Sequence, residues 1–217
     1  MNDHLILSDI HLGDDKCRAD LVLQILKKYP AKKIIIAGDL FDSHHLSRLR
    51  KSHWKVLSRL RKMSKKTKIV YLIGNHCFLK AEFMSILLGF DCRDEYVIQT
   101  GKKRILVVHG DIFDLYFTKY RWITNMVVKT YYILRKTPFA EPVFNLFKHH
   151  TNNFVKKSGQ IRHNAFQYLI RNGYDMVIYG HSHVSHMDEY CVNMGSFCDN
   201  DRSFVLIKKG QIQLVKI

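Results

Sequence analysis

Apolar residues gather in short runs that recur along the chain. The five clearest runs are rich in Ile, Val and Leu and span residues 4–8, 33–37, 68–73, 105–109 and 175–180. Near-continuous apolarity over such a short length is typical of strands that are covered on both faces. We therefore expect these runs to form the buried strands of the fold.

Helix-like segments separate the early strands. They span residues 17–29, 46–63 and 78–89. In the second segment apolar side chains recur at helical spacing, while Arg and Lys occupy the other positions. The residues predicted to share this face are Leu46, Leu49, His53, Val56, Leu57 and Leu60. Because strand and helix alternate, the pattern predicts α/β layers.

The end of the chain follows a different pattern. Residues 187–195, 203–210 and 211–217 have the composition of strands, and the last two are joined by a Lys209-Gly210 turn. A tight turn of this kind predicts an antiparallel pair. A mixed sheet, or a pair of sheets, sandwiched by helices accommodates both halves of the chain.

Residues 112–172 show no clear strand pattern, and prolines at 138 and 142 interrupt them. We interpret this segment as a helical insertion within one domain that spans residues 1–217. Between 116 and 136 it interleaves aromatic, aliphatic and cationic side chains. Two alternatives fit this stretch: amphipathic helices packed on the core, or a cap that faces substrate or membrane.

Composition adds a strong charge imbalance. The chain has 35 Lys and Arg against 19 Asp and Glu, a net charge of +16. Such a surplus attracts nucleic acid, phosphorylated metabolites or anionic membrane surfaces, and charge alone does not distinguish among them.

The five scattered cysteines form no Cys-x-x-Cys pair, and the chain shows neither a signal segment nor an apolar run long enough to span a bilayer. We expect a cytoplasmic protein.

Polar side chains with metal-binding atoms follow each of the five strand-like runs. They are Asp9 and His11, Asp39 and Asp42, Asn75 and His76, His109 and Asp111, and His181 and His183. In open α/β sheets ligands gather at the carboxyl ends of strands, so these side chains are expected to converge in one crevice. Glycines at 38, 74, 110 and 180 predict that the backbone passes close to a bound anion there.

The donor types predict two metal ions. Asp and His donors without a thiolate suit Mn²⁺, Fe or Zn²⁺. In Asp9-x-His11 and His181-x-His183, alternate residues of an extended segment point the same way, so each pair can hold one ion. The donors are too many for one ion that keeps an open position. Two ions about 3.5–4 Å apart, sharing a carboxylate, fit better.

Together these motifs resemble the calcineurin-like metallophosphoesterases, whose pattern is Asp-x-His, Gly-Asp-x-x-Asp, Gly-Asn-His-Asp, a later His and Gly-His-x-His. The match extends from Asp9 to His183. The resemblance implies an α/β fold with two mixed β-sheets flanked by helices, and a helical cap insertion at 112–172. It also implies a metal-dependent hydrolase of phosphoesters.

The resemblance further implies a role for each site residue. One ion would be held by Asp9, His11, Asp39 and His183, and the other by Asp39, Asn75, His109 and His181. Asp39 would bridge the ions, and water activated by them would attack phosphorus in line without a covalent intermediate. The catalytic residues would be His76, Asp39 and Asn75, with His76 protonating the leaving oxygen or steadying phosphoryl charge. Asp42 is expected to support the ligands, and Asp111 to cap a helix near Ile112.

Three stretches, SDIHLGD, AGDLFD and HGDIFD, are similar to the UDP-2,3-diacylglucosamine pyrophosphohydrolases of lipid A biosynthesis. This similarity implies a nucleotide-linked lipid substrate and peripheral association with the anionic inner face of the cell membrane. Two stretches depart from that subfamily: Val184-Ser185 replaces a proline, and residues 193–197 replace a Gly-Asp-Trp turn.

Other functions therefore stay open. One alternative is a nuclease or cyclic nucleotide phosphodiesterase of the same fold, acting on nucleic acid or another small phosphoester. Another is a non-catalytic metal-binding scaffold that engages a protein or membrane. No stable protein partner is expected for an enzyme of the leading class.

Cys77 is the clearest departure within the motifs, because the family pattern has an aspartate that orients the preceding histidine. A neutral thiol does this poorly, so we expect His76 to use another acceptor and turnover to be slow. We predict that Cys77→Asp raises turnover in Mn²⁺ and changes the pH–rate profile. A profile unchanged in height and shape would show that the substitution has no consequence.

Overall fold

The structure is a computed structural model that describes residues 1–43, 45–77, 81–115 and 154–217. The middle of the predicted insertion, residues 116–153, lies outside the described residues, and so does the helical cap expected there. No helix in the described ranges is long and apolar enough to cross a membrane.

Eleven strands and four α-helices make up the described part of the chain. In chain order the strands are β1 (Asn2–Leu7), β2 (Ala31–Ala37), β3 (Lys68–Leu72), β4 (Asp91–Arg93), β5 (Glu95–Thr100), β6 (Lys103–Val108), β7 (Met176–Tyr179), β8 (His186–Met187), β9 (Cys191–Asn193), β10 (Ser203–Lys208) and β11 (Gln211–Lys216). The helices are α1 (Ala19–Lys28), α2 (Lys51–Ser64), α3 (Ala81–Leu88) and α4 (Phe154–Asn172). Short 3₁₀ turns lie at Leu46–Arg48 and Asp111–Phe113.

The strands form two mixed sheets, as the resemblance implies. The first has the order β11-β10-β1-β2-β3-β4, and the second β5-β6-β7-β9-β8. Within the first sheet β1, β2 and β3 run parallel, while β10 and β11 form an antiparallel hairpin. Within the second, β6, β7 and β9 run parallel. The chain therefore directs the carboxyl ends of β1, β2 and β3 toward one edge, and those of β6 and β7 likewise.

An apolar layer between the sheets holds them together. Ile6, Ile35 and Val70 of the first sheet and Ile105 and Ile178 of the second all belong to this layer and are fully buried. These side chains come from the strand runs that are apolar on both faces, because the opposite face of each sheet is also covered.

Helices cover the two outer faces. Helices α1, α2 and α3 pack on the first sheet, and α2 contributes Val56, Leu57 and Leu60 to that layer. Helix α4 covers the second sheet through Ile161 and Leu169. The architecture is thus helix, sheet, sheet, helix, and the expected α/β class is confirmed.

Two details differ from the pattern-based expectation. Strands β4 and β5 were not predicted, because only Ile98 of these nine residues is fully buried and the apolar signal is weak. Leu46 was placed on the buried face of a helix beginning at 46, which is wrong: it lies in a 3₁₀ turn and is 38% exposed. The extended backbone at Arg50 separates that turn from α2.

We predict that Ile35→Ala lowers the free energy of unfolding by about 2–5 kcal/mol, because it leaves a cavity between two sheets that cannot close around it. Chemical denaturation measures the change. Val97→Ala, at a strand position that is 37% exposed, serves as the control and is expected to change stability by about 0.5 kcal/mol or less. An equal loss of unfolding free energy in the two variants would contradict the central position of Ile35 in the core.

Candidate metal centre

The predicted site residues lie on five loops at the seam between the sheets. Asp9, Asp39 and Asn75 follow β1, β2 and β3 of the first sheet. The histidines follow β6 and β7 of the second sheet, at positions 109, 181 and 183. Since parallel strands end at the same edge, the topology brings all of these loops together.

Backbone hydrogen bonds fix the loops against each other. The N–H of His11 donates to the carbonyl of Asp39 at 2.9 Å, and the N–H of Gly180 donates to the carbonyl of His109 at 2.8 Å. A third bond, from Phe197 N–H to the Asp9 carbonyl at 3.0 Å, ties in the segment after β9. These bonds join the loops after β1 and β2 to each other and to the segment after β9, and they join the loops after β6 and β7 to each other.

Five of the predicted ligands have left-handed backbone conformations. Their φ angles are 49° for Asp9, 51° for His11, 42° for Asp39, 66° for His181 and 57° for His183. Among the described residues only Lys209, in the β10–β11 turn, joins them as a non-glycine with positive φ. Each such conformation costs of order 1–3 kcal/mol and persists where surrounding structure enforces it, typically at functional sites.

The first group of donors surrounds a carboxylate oxygen that accepts no hydrogen bond. Asp9 Oδ1 is buried and accepts no hydrogen bond, although His183 Nε2 lies 3.3 Å away and His11 Nε2 3.7 Å away. The two imidazole Nε2 atoms are 3.3 Å apart. Asp9 Oδ2 by contrast accepts from Ser8 Oγ and from the N–H of His181. Three donor atoms thus face one point, as a metal ion requires.

The second group is built around Asp39 and Asn75. His109 Nε2 lies 3.2 Å from Asp39 Oδ2 and 2.8 Å from Asn75 Oδ1. His181 Nδ1 lies 3.0 Å from the same Asn75 oxygen. The other ring nitrogen of His109 donates to the carbonyl of Ala37 at 3.1 Å, which leaves Nε2 free to bind an ion.

Asp39 lies between the two groups. Its Oδ2 is 4.0 Å from His11 Nε2 as well as 3.2 Å from His109 Nε2. In each of three triads, the potential ligand atoms all lie within 4.8 Å of one another. The triads are Asp9, His11 and His183; His11, Asp39 and His76; and Asp9, Asp39 and His109. The structure therefore brings the predicted donors together, and their chemistry fits divalent metal ions.

The buried carboxylates of the site favour positively charged neighbours. Burial alone would lower the pKa of His109, but Asp39 raises it to about 10. Burial likewise opposes the rise in the pKa of His183 to about 10, which its contacts with Asp199 and Asp9 cause. Although burial raises the pKa of Asp9, the nearby His11 and His183 hold it well below its usual range. A divalent cation would compete with the imidazole protons for these carboxylates.

Two glycines allow the ligand carboxylates to approach the backbone. A Cβ at Gly74 would lie 2.3 Å from Asp39 Oδ1, and a Cβ at Gly180 would lie 2.1 Å from Asp9 Oδ2. The sequence pattern predicted that these glycines make room for a bound anion. The close neighbours are instead the side chains of the predicted ligands, so the glycines let the carboxylates stay buried against the loops.

His76 has an acceptor that the sequence did not identify. Its Nδ1 donates to the backbone carbonyl of Asp42 at 2.5 Å, and its backbone N–H donates to Asp39 Oδ1 at 3.0 Å. The Cys77 side chain is hydrogen-bonded to Tyr71 and packs against the core that covers the first sheet. The carbonyl of Asp42 therefore replaces the carboxylate that the family pattern places at position 77.

Two aspartates at the site were missed by the sequence analysis. Asp199 Oδ2 lies 2.5 Å from His183 Nδ1, and Asp114 Oδ2 lies 3.3 Å from His181 Nε2. Neither belongs to a recognisable spacing with its histidine, so only the fold reveals the pairing. Asp111, expected to cap a helix, is the first residue of a 3₁₀ turn whose N-cap, Gly110, provides no side-chain hydrogen bond.

A buried cluster of carboxylates and imidazoles between two mixed sheets defines a metal-dependent phosphoester hydrolase. Residues 5–185 match the family described as calcineurin-like phosphoesterase, and the chain belongs to this family. It is therefore an enzyme of a dinuclear, metal-dependent class, with a cluster of donors that can hold metal.

Individual relatives agree with this assignment. A UDP-2,3-diacylglucosamine hydrolase from Blochmanniella pennsylvanica is 25% identical over 200 residues, which cover 82% of this chain and 78% of that protein. Among solved structures, the phosphoesterase Yfce from E. coli has a TM-score of 0.50 and 18% identity, and the alignment covers 99% of this chain and 98% of that one. The latter likeness concerns the fold alone.

We predict that Asp199→Asn weakens Mn²⁺ binding by about 10- to 100-fold. The carboxylate fixes the ring orientation and tautomer of His183, and such supporting partners of histidine ligands typically contribute this much. Calorimetric titration of the metal-free protein measures the affinity.

Glu189→Gln, which removes the same charge at an exposed position, is the matched control and is expected to bind Mn²⁺ as the original chain does. If both variants retain full affinity, Asp199 does not position His183 for metal binding.

Proposed function

We propose that this protein hydrolyses the pyrophosphate bond of UDP-2,3-diacylglucosamine or a similar nucleotide-linked lipid, releasing UMP and a lipid phosphate. The observation that supports metal-dependent hydrolysis is Asp9 Oδ1, which is buried without a hydrogen bond and lies 3.3 Å from His183 Nε2 inside a cluster of carboxylates and imidazoles. The substrate class is supported by the curated relative that bears this activity in its name. We place the protein in the cytoplasm, at the inner face of the cell membrane.

Two divalent ions, Mn²⁺ foremost, would activate a water nucleophile and neutralise charge on the phosphoryl oxygens. Asp9, His11 and His183 would hold one ion, and Asn75, His109 and His181 the other. Asp39 would contact both, because its Oδ2 lies between His11 and His109.

His76 is our candidate for the leaving-group contact. Of the predicted site residues it is the exposed one, and its ring lies edge-on to His11 with 5.1 Å between centroids. Because its Nδ1 donates to the Asp42 carbonyl, Nε2 is the ring nitrogen available to the leaving oxygen, and it would donate a proton there from the imidazolium form of the ring. Asp42 itself is held by an ion pair with Arg48, which steadies the carbonyl that orients the histidine.

A second candidate function is hydrolysis of nucleic acid by the same site. The observation that favours it is a stretch, residues 43–81, that contains eleven Lys and Arg and no Asp or Glu. Cations gathered in this way contact phosphate backbones in nucleic-acid-binding proteins.

The two candidates are separated by offering the purified protein, with Mn²⁺, three substrates: UDP-2,3-diacylglucosamine, bis-p-nitrophenyl phosphate and single-stranded DNA. We expect UMP release from the lipid substrate and no turnover of DNA. We also expect Asp39→Ala to lower the rate by at least about a hundredfold, more than loss of a supporting residue costs.

Asp94→Ala, at an exposed position outside the site, is the control for Asp39→Ala. DNA turnover without UMP release would refute the lipid substrate, and full activity in Asp39→Ala would refute the two-metal mechanism.

A further inference from the structure

The outer face of α2 carries a line of cations. Lys51, Lys55, Arg59 and Lys62 are exposed and follow each other at helical spacing, so they form one stripe about 16 Å long at 1.5 Å per residue. Within the described part of the chain none of these four side chains forms an ion pair. The stripe is therefore free to contact an external anion.

Trp54 lies on the same face and is 53% exposed. It lies outside the buried face of α2, which is formed by His53, Val56, Leu57 and Leu60. Tryptophan between cations is typical of surfaces that contact the boundary between lipid headgroups and acyl chains.

Helix α3 adds an apolar surface beside this stripe. Phe83, Ile86 and Leu87 are 47%, 78% and 49% exposed, while Met84 and Leu88 point into the core. That core is the one into which α2 packs, so both helices cover the same face of the first sheet. Their outer faces consequently lie on the same side of the molecule.

We propose that the outer faces of α2 and α3 dock the protein onto an anionic lipid bilayer. The cations of α2 contact headgroup phosphates, and the apolar side chains of α3 enter the interface below them. Nucleic acid would use the cations, but it offers nothing to the three exposed apolar side chains of α3. The combination of charge and apolar area favours lipid.

The position of α2 connects this surface with the metal centre. The buried His53 of α2 accepts, through Nδ1, the backbone N–H of Gly13 at 3.2 Å. Gly13 follows the loop that carries Asp9 and His11, so the first turn of α2 is hydrogen-bonded to that loop.

This docking surface deepens the proposed function and rests on it. A diacylated substrate resides in a bilayer, and docking through α2 and α3 would hold the metal centre near that substrate.

Vesicle sedimentation tests the surface. Vesicles of phosphatidylcholine alone are compared with vesicles that also contain phosphatidylglycerol. We expect the protein to sediment with the anionic vesicles, and less so as salt is added. A variant with Lys51, Lys55, Arg59 and Lys62 all changed to Gln is expected to partition about 600-fold less, since each of the four cations near the surface contributes about fivefold. Ile86→Ser is expected to lower partitioning severalfold.

The matched control changes Lys102, Lys103, Lys208 and Lys209 to Gln, which removes the same charge from exposed positions in two turns and the strand ends beside them, outside the two helices. Its partitioning is expected to stay close to that of the original chain. Equal loss in both quadruple variants would show nonspecific attraction and overturn the proposal. Unchanged partitioning in Ile86→Ser would show that α3 does not contact the bilayer, and this result would also overturn the proposal. Binding of single-stranded DNA without vesicle binding would assign the stripe to nucleic acid instead.

Hydrolysis of soluble bis-p-nitrophenyl phosphate, measured without vesicles, separates this inference from the proposed function. We expect all of these variants to hydrolyse it at the original rate, which also shows that they are folded. If the original chain sediments with vesicles but hydrolyses no substrate, the docking surface stands and the proposed function falls. If it releases UMP from the lipid substrate but does not sediment with vesicles, the proposed function stands and the docking surface falls.

Discussion

Two buried carboxylates placed next to each other constrain the rest of this structure. Asp9 and Asp39 follow neighbouring parallel strands and are at most 2% exposed. Removing each charge from water costs several kcal/mol, and placing two like charges together adds repulsion. The surrounding imidazoles offset this cost only in part, because Asp9 Oδ1 remains without a hydrogen bond. The arrangement is stable to the extent that cations complete it.

The loops are shaped to satisfy these carboxylates. Ser8 and the backbone of residue 181 donate to Asp9 Oδ2, and the backbone of residue 76 donates to Asp39 Oδ1. To place these N–H groups the chain takes left-handed conformations at non-glycine positions and keeps a glycine at 74 and 180, where any side chain would displace a carboxylate. Backbone strain and glycine placement here have the same cause.

The sequence predicted the layers and the donors because both depend on local patterns. Buried strands are continuous apolar runs, and the donors follow them directly, as at Ile36 to Asp39. The half-exposed strands β4 and β5 lack such a run and were missed. The pairing of Asp199 with His183 joins residues 16 positions apart, and no spacing rule specifies it. The carbonyl that orients His76 belongs to the backbone of Asp42. Every residue has such a carbonyl, so residue types along the sequence do not reveal which one accepts the hydrogen bond.

The origin of the donors in two different sheets has a thermodynamic consequence. Asp9, Asp39 and Asn75 follow strands of the first sheet, and the histidines at 109, 181 and 183 follow strands of the second, so the complete set of predicted ligands comes together only while the sheets are docked. An ion that binds this set, and not the separated sheets, stabilises the folded chain by mass action. A metal ion held by residues from both sheets would link the two halves of the sandwich, and the melting temperature would then rise with the concentration of free ion.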